Sequence, residues 1–154
     1  MEWKINSLTS SWVKEFVDFR KKSSKETGYV KEIDYQEALK RIKSIEQNNN
    51  WEAYIVYKEN EEIIGQLFLR YDPLRHSVRI QLISVLDEHS GQGIGKALLD
   101  KAVERGCQTN KQEVDLIVHR NNEHAQNFYR SYGFEKDQIY RSGRVRWVYN
   151  LQYC

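Results

Sequence analysis

The sequence predicts an α/β protein in which a mixed β-sheet is covered by helices on both faces. Two observations predict this fold class. Segments with strand-like and helix-like spacing of apolar residues alternate through the second half of the chain. A glycine-rich segment at residues 90–96 also joins a predicted strand directly to a predicted helix. Because no Gly/Ser-rich linker and no internal repeat interrupts the chain, we expect residues 1–154 to form a single domain.

The composition and net charge argue against nucleic acid and membranes as partners. The chain is 40% hydrophobic and 30% charged, and its net charge of +2 is too small for a surface built to bind nucleic acid or anionic lipid. No apolar run approaches the ~20 residues of a membrane span, and the N-terminus lacks the pattern of a signal peptide. Cys107 and Cys154 have no metal-ligand spacing, and neither has a neighbour that would activate it. We therefore expect no metal and a reducing, cytoplasmic location.

Two helices are predicted before the first long strands. After a short apolar-polar start, Ser10 or Ser11 is expected to cap a first helix. The apolar face of that helix is formed by Trp12, Val13, Phe16 and Val17. Asp34 and Glu37 have the spacing of a capping box, which predicts the start of a second helix that ends at the polar residues 48–50.

The remaining elements are predicted where the spacing of apolar residues changes between strand-like and helix-like. Residues 53–57, 63–71 and 78–86 are rich in β-branched and aromatic side chains and predict three consecutive antiparallel strands. Residues 93–108 have helical spacing, with Gly106 as a possible stop. A strand is predicted around Leu116, then a helix ended by Gly133, and then strands at residues 134–140 and 145–153.

The segment Ser90-Gly-Gln-Gly-Ile-Gly-Lys96 has the composition of a phosphate-binding loop. Backbone N–H groups converge at a helix start and the helix dipole favours an anion there, while glycine removes side chains that would keep phosphate away. A plain tight turn is the alternative explanation. The dinucleotide fingerprint fails because Lys96 or Leu98 stands where its third glycine belongs, and the Walker pattern fails at Ser90 and Ala97.

The loop resembles the coenzyme A loop of N-acetyltransferases of the GNAT superfamily, written Gln/Arg-x-x-Gly-x-Gly/Ala. Gly93 and Gly95 match its small positions, whereas Ser90 replaces the longer polar residue. The segment from Val118 to Phe134 resembles the second GNAT signature, Asn-x-x-Ala-x-x-(apolar)-Tyr followed by Gly-Phe. The resemblance implies a mostly antiparallel central sheet of about six to seven strands, with a parallel central pair that splays apart near Val85 and His119.

The same resemblance implies acetyl-CoA as co-substrate and assigns its contacts. These residues are Ser84, Val85, Ser90, Gly91, Gln92, Gly93, Ile94, Gly95, Lys96, Asn122, Ala125, Phe128 and Tyr129. Backbone groups of Ser84 and Val85 would pair with the amide-bearing pantetheine arm. Tyr129 would act as general acid on the departing thiolate, because a phenol stays protonated at neutral pH. Its alternative is a plain core position, and the alternative for Asn122 is a helix N-cap.

The general base is the least defined residue. Some family members carry a glutamate on the strand after the coenzyme-binding helix, but the comparable position here is Ile117. His119 is the candidate base, with Gln81 or Ser84 positioning a water, although a histidine at a strand end is often a surface or capping residue. The three other histidines are expected in turns or on an exposed face: His76, His89 and His124.

The predicted function is transfer of an acetyl group to a primary amine of a small molecule, a peptide N-terminus or a lysine. Glu26, Glu32 and Asp34 are candidates to attract a cationic amine, or are simply solvated. The alternative from another class is a non-catalytic acyl-CoA sensor or interaction module. Nucleic-acid binding is disfavoured, because the arginines at 141, 144 and 146 also describe one solvated face of a strand. We expect a monomer or homodimer.

Overall fold

A computed structural model describes residues 2–152 and 154. Within these residues the chain forms seven strands, which are β1 (Trp3–Ser7), β2 (Trp51–Lys58), β3 (Ile63–Tyr71), β4 (Ser77–Val85), β5 (Glu113–His119), β6 (Glu135–Ile139) and β7 (Arg144–Asn150). The α-helices of the same residues are α1 (Val13–Thr27), α2 (Tyr35–Glu46), α3 (Ile94–Gln108) and α4 (Glu123–Tyr132). The predicted elements are confirmed, with their ends moved by a few residues. Tyr153, the last residue of the final predicted strand, lies outside the described residues.

All seven strands join one mixed sheet in the order β1-β2-β3-β4-β5-β7-β6. Every neighbouring pair is antiparallel except β4 and β5, which are parallel. A parallel pair needs a crossover connection, and α3 provides it. The predicted mixed, mostly antiparallel sheet with one parallel central pair is therefore confirmed.

The helices lie on both faces of this sheet. Side chains of β3 alternate between the faces, so Phe68 contacts Phe16 of α1 with ring centroids 6.1 Å apart. On the other face, Gly65 lies against Ile94 of α3, at 3.5 Å from an ideal Cβ to Cγ2. The α4 helix shares that second face, since Tyr132 donates a hydrogen bond to Asp100 of α3 at 2.7 Å.

The helix starts follow the capping rules at α2 but not at α1. Asp34 accepts a hydrogen bond from the Glu37 amide at 2.8 Å, as the capping box predicts. At α1 the prediction was wrong, because residues Ser10–Trp12 form a turn of 3₁₀ helix and no side chain caps either helix. The Ser11 hydroxyl pairs instead with that of Thr9, at 2.7 Å.

Gly106 lies inside α3 and does not end it, so the predicted stop was wrong. The helix continues to Gln108, and an ideal Cβ at residue 106 would lie 2.7 Å from Cδ1 of Leu151. Glycine at this position lets the segment after β7 pack against the helix. Cys107 and Cys154, for which nothing in the sequence indicated pairing, form a disulfide that ties residue 154 to α3. None of the helices within residues 2–152 combines the length and the apolar character needed to cross a membrane.

The parallel strands separate after a short paired stretch. Backbone pairing joins residues 77–79 of β4 to residues 113–115 of β5, while β4 continues to Val85 and β5 to His119. The last two residues that pair between these strands, Arg79 and Asp115, also form an ion pair, in which Arg79 Nε donates to Asp115 Oδ1 at 2.8 Å. Arg146 Nε of β7 donates to the other carboxylate oxygen, also at 2.8 Å. Beyond this junction the two strands leave a gap at the centre of the sheet.

Candidate functional site

The start of α3 presents free backbone amides at the end of the central gap. Gly91 and Gly93 have φ angles of 78° and 81°, which glycine adopts without strain. The first amide of the helix to be paired belongs to Ala97, which donates to the Gly93 carbonyl at 3.0 Å. Among the described residues, no acceptor pairs with the amides of residues 91–96. This row of donors at the positive end of the helix dipole suits an anion such as a phosphate.

The side chains around the loop leave these amides open. An ideal Cβ at Gly91 or Gly93 would meet nothing within 4 Å, so the space beside the loop is solvent. Ser90 and Gln92 are exposed, and the Ser90 amide is used in the preceding turn, donating to Asp87 O at 3.0 Å. Ile94 is a buried core side chain, so its amide is the group that it offers to a ligand. Neither an acidic residue in the first turn nor a capping side chain competes for these donors.

Gly95 has a packing role that the sequence did not reveal. Its backbone is helical, and an ideal Cβ would lie only 3.0 Å from Cζ of Phe128 on α4. The small residue therefore lets α4 approach the start of α3. Gly91 and Gly93 permit the loop conformation, whereas Gly95 permits contact between the two helices that flank the gap.

Tyr129 is largely buried beside this contact. It is 8% exposed, and its ring stands edge-on to Phe134 with centroids 5.7 Å apart. No described residue makes a hydrogen bond with the hydroxyl. The fully buried side-chain atoms without a partner belong to Gln66, His89 and Trp147, so the Tyr129 hydroxyl keeps some accessible surface. Burial raises the pKa of the phenol, and the neighbouring phenol of Tyr29 raises that pKa further.

Asn122 caps α4, as the more conservative alternative predicted. Its Oδ1 accepts a hydrogen bond from the amide of Ala125 at 3.1 Å. Ala125 is half-buried and packs against the core, while the preceding turn is held by Gln126, which donates to Arg120 O at 2.7 Å. The cap fixes the start of the helix that carries Tyr129.

A buried pair of polar side chains joins β3 to β4 near the gap. Gln66 of β3 is fully buried and donates from Nε2 to the Ser84 hydroxyl at 2.9 Å, while its Oε1 has no partner. Val85 lies opposite Gly65 at the end of the strand. Because β4 is unpaired toward β5 after Arg79, backbone groups near residues 84 and 85 are available to a ligand in the gap. Sequence reasoning missed Gln66, whose one signal was an amide within the apolar residues 63–69 of the strand.

His119 is engaged in the turn that follows β5. Its Nδ1 accepts a hydrogen bond from the Asn121 amide at 3.2 Å, and its Nε2 lies 3.1 Å from an ideal Cβ of Gly143. When Nδ1 accepts, the neutral ring carries its proton on Nε2 and has no free lone pair. This geometry resembles the capping alternative more closely than that of a base. Gln81 lies at a β-bulge of β4, since the pairing passes from Leu82 to Ile80 there, and its side chain is exposed.

The connection between α1 and α2 lies near the same end of the sheet. Glu26 accepts a hydrogen bond from the Asp87 amide at 2.9 Å, which ties α1 to the turn before the glycine loop. Tyr29 in this connection is exposed. Glu26 and Asp34 thus have structural roles in addition to any attraction for a cation.

His89 lies in a turn, as predicted, but its side chain is buried. It belongs to the turn Asp87–His89 and is only 7% exposed, and neither ring nitrogen has a hydrogen-bond partner. Its Nε2 is 3.6 Å from Glu88 Oε1. Sequence spacing did not indicate this burial. In the part of the chain that the structure describes, no cluster of three or more His, Cys, Asp or Glu side chains could hold a metal ion.

Comparison with solved structures gives the same architecture. The GNAT-family acetyltransferase of Staphylococcus aureus Mu50 is 21% identical, with a TM-score of 0.79 over 98% of this chain and 100% of that one. The PaiA N-acetyltransferase of Thermoplasma acidophilum, solved with coenzyme A, is 19% identical, with a TM-score of 0.81 over 97% and 99%. The spermidine N-acetyltransferase of Vibrio cholerae, solved with coenzyme A and spermine, is 16% identical, with a TM-score of 0.78 over 97% and 95%.

The family assignment comes from the sequence itself. A model of the acetyltransferase (GNAT) domain matches residues 50–136, more than half of the chain. This range contains the glycine loop, both strands of the gap and the helix of Tyr129. The chain therefore belongs to the GNAT acetyltransferase family.

Proposed function

We propose that this protein transfers an acetyl group from acetyl-CoA to a primary amine. The observation that carries the proposal is the convergence of three features at one end of the sheet. These are the unpaired amides of residues 91–96, the gap between β4 and β5, and the accessible hydroxyl of Tyr129. Structural relatives solved with coenzyme A, and the relative named for spermidine, support the donor and the amine class of acceptor.

The residues of the chain divide the binding of the donor between them. The amides of residues 91–96 would hold the pyrophosphate, and Lys96, which is exposed at the rim, adds a positive charge. The unpaired edge of β4 near Ser84 and Val85 would pair with the pantetheine amides as an added strand does. Phe128, which contacts Gly95, and Ala125 would border the pantetheine arm from α4, and the side-chain amide nitrogen of Asn122, whose Oδ1 caps the helix, would bond to the coenzyme.

The chemistry requires one bond to form and one to break. The neutral amine attacks the thioester carbonyl, the C–N bond forms, and the C–S bond breaks. Tyr129 donates its proton to the departing sulfur, a role for which a raised pKa keeps the phenol protonated. The proton of the amine leaves to solvent water, and the Ser84 hydroxyl, which accepts a hydrogen bond from Gln66 Nε2, is the candidate to position that water.

Transfer is direct in this proposal, without an acetylated cysteine. Cys107 and Cys154 are joined in a disulfide, and Cys107 lies at the end of α3 opposite to the loop, roughly 20 Å away at 1.5 Å per residue. Both substrates must then be bound together before reaction. Initial-rate plots should intersect, whereas parallel lines would indicate an acyl-enzyme.

A panel of amines tests the proposal. The protein is incubated with acetyl-CoA and each amine, released thiol is monitored, and the acetylated amine is identified by mass spectrometry. We expect turnover with at least one amine. If acetyl-CoA binds but no amine in a broad panel is acetylated, the chain is a coenzyme sensor and the proposed reaction is wrong.

A further inference from the structure

A groove opens between the two N-terminal helices and the sheet, on the face opposite α3. Its volume is about 500 Å³, a size suited to a small molecule. Its walls are mainly apolar, and they include Phe16 of α1, Ile42 of α2, Trp51 of β2, Phe68 of β3 and Leu82 of β4. The groove has no part in holding the coenzyme as described above, so its occupant is a separate question.

The charged residues around the groove are predominantly basic. Arg20, Lys40 and Arg41 line it, together with a single acid, Glu37. Glu37 Oε1 lies 2.7 Å from Arg41 Nη2, so the acid is already paired with one of the cations. The remaining positive charge gives the groove a potential that attracts anions and repels cations.

Arg20 is the residue that defines the ligand. It is only 6% exposed, its Nε donates to Lys31 O at 3.0 Å, and its guanidinium lies 5.4 Å from the centroid of the Phe16 ring. Its two Nη atoms have no acceptor among the described residues, and they are absent from the fully buried atoms, so they keep surface on the groove. Burial and the nearby charge of Arg41 lower the pKa of Arg20 by more than Glu37, which is shared with Arg41, raises it. A buried cation with so little compensation is costly, and a planar fork of donors fits a carboxylate.

The position of the groove connects it to the gap. Leu82 and Ser84 lie on the same face of β4, opposite Phe68 and Gln66 of β3. Two residues of a strand span about 7 Å, so the groove ends within one small-molecule length of the polar pair at the gap. Leu82 also follows Arg79, the last residue that pairs with β5.

We propose that this groove is the acceptor site and that the acceptor is an amine bearing a carboxylate on an apolar body. The carboxylate pairs with Arg20, the apolar body lies against Phe16 and Phe68, and the amine points along β4 toward the gap. This inference rests on the proposed acetyl transfer. It also separates this chain from an enzyme specific for polyamines, because a second ammonium group would face Arg20, Lys40 and Arg41, whose charges the single acid Glu37 does not balance.

A binding experiment without acetyl-CoA tests the site by itself. Tryptophan fluorescence is followed during titration with two probes of similar shape, p-(aminomethyl)benzoate and p-xylylenediamine. The first carries a carboxylate where the second carries a second aminomethyl group. We expect the carboxylate probe to bind at least about tenfold more tightly, the scale of one charge-assisted hydrogen bond. The signal should be lost in Trp51→Phe, because Trp51 lines the groove. Arg20→Met should abolish the preference, and Arg20→Lys should restore part of it.

The same two probes are then compared as acceptors. We expect the carboxylate-bearing amine to have the higher kcat/KM, and Arg20→Met to raise KM more than it lowers kcat. The two probes are compared on the parent protein itself, so this part of the test remains informative even if the Arg20→Met variant does not fold. Equal or tighter binding of the diamine, or faster acetylation of spermidine than of the carboxylate-bearing amine, would overturn the inference and leave acetyl transfer intact. Binding of the carboxylate probe with no amine acetylated would instead overturn the proposed function.

Discussion

At the scale of single residues, Tyr129 combines two properties that a general acid needs. Its ring is packed among aromatic side chains, and its hydroxyl has no partner within the described structure, so its orientation is fixed while its proton is free to be donated. Burial and the nearby Tyr29 raise the pKa of the phenol. The group therefore stays protonated through neutral and mildly alkaline pH, and its titration should not limit the rate below about pH 10.

Replacing Tyr129 by Phe keeps the ring and removes the proton donor. We expect the single-turnover rate of acetyl transfer to fall by about 10²–10⁴-fold, with little change in the affinity for acetyl-CoA. Tyr132→Phe is the matched control, since it removes an exposed hydroxyl whose partner is Asp100 and should leave the rate unchanged. If the Tyr129→Phe variant reacts as fast as the parent, Tyr129 is a core residue and not the general acid.

At the scale of the elements, the junction of β4, β5 and β7 sets where the gap begins. Asp115 is fully buried and receives Arg79 from one neighbouring strand and Arg146 from the other. Burial alone would raise the pKa of this carboxyl, but the two arginines outweigh it and lower the pKa. A lowered pKa contributes stability that is present above the unfolded-state pKa of about 3.9 and is lost as pH falls through the folded-state value.

Asp115→Asn should therefore destabilise the fold at neutral pH. We expect a loss of about 3 kcal/mol, because a buried charge pair is broken while Arg79 and Arg146 remain partly solvated. Urea unfolding at several pH values measures this. The difference between parent and variant should shrink as the pH is lowered below about 4. A difference that does not depend on pH would show that the carboxylate charge is not what stabilises the junction.

Sequence patterns predicted these elements where local spacing decides them. The three consecutive strands, the helix of residues 94–108 and the cap at Asp34 depend on periodicity and near neighbours. The patterns failed where distant segments meet. The close approach of Leu151 requires glycine at residue 106, and that of Phe128 requires it at residue 95. These contacts and the burial of His89 are not visible in local spacing. Arg20 is hidden in the same way, because it lines a groove that five elements, α1, α2, β2, β3 and β4, form together.

At the scale of the whole molecule, the disulfide between Cys107 and Cys154 ties the chain end to α3. A reducing location was expected because the two cysteines show no metal-ligand spacing, but a disulfide between them does not support that expectation, since disulfides are rare in reducing compartments. The bond spans a sequence separation of 47 residues, for which the chain-entropy model gives about 4 kcal/mol of stabilisation.

Reduction of the disulfide should lower the melting temperature without affecting donor binding. The bond lies at the end of α3 far from the glycine loop, so acetyl-CoA affinity should be the same in oxidised and reduced protein. The Cys107→Ser, Cys154→Ser double variant should melt like the reduced parent and should no longer respond to reductant. Equal melting temperatures for oxidised and reduced parent would show that the bond adds nothing to stability.

The most direct test of the site as a whole is calorimetric titration of the protein with coenzyme A. Pantetheine, which lacks the pyrophosphate, is titrated for comparison. Gly93→Glu places a negative charge in open space beside the amides, and Gly93→Ala controls for the strain of a side chain at positive φ. We expect Gly93→Glu to weaken coenzyme A binding at least about tenfold relative to Gly93→Ala, with pantetheine affinity nearly unchanged. A folded Gly93→Glu variant that binds coenzyme A as tightly as the parent would contradict the assignment of the α3 N-terminus as the pyrophosphate site.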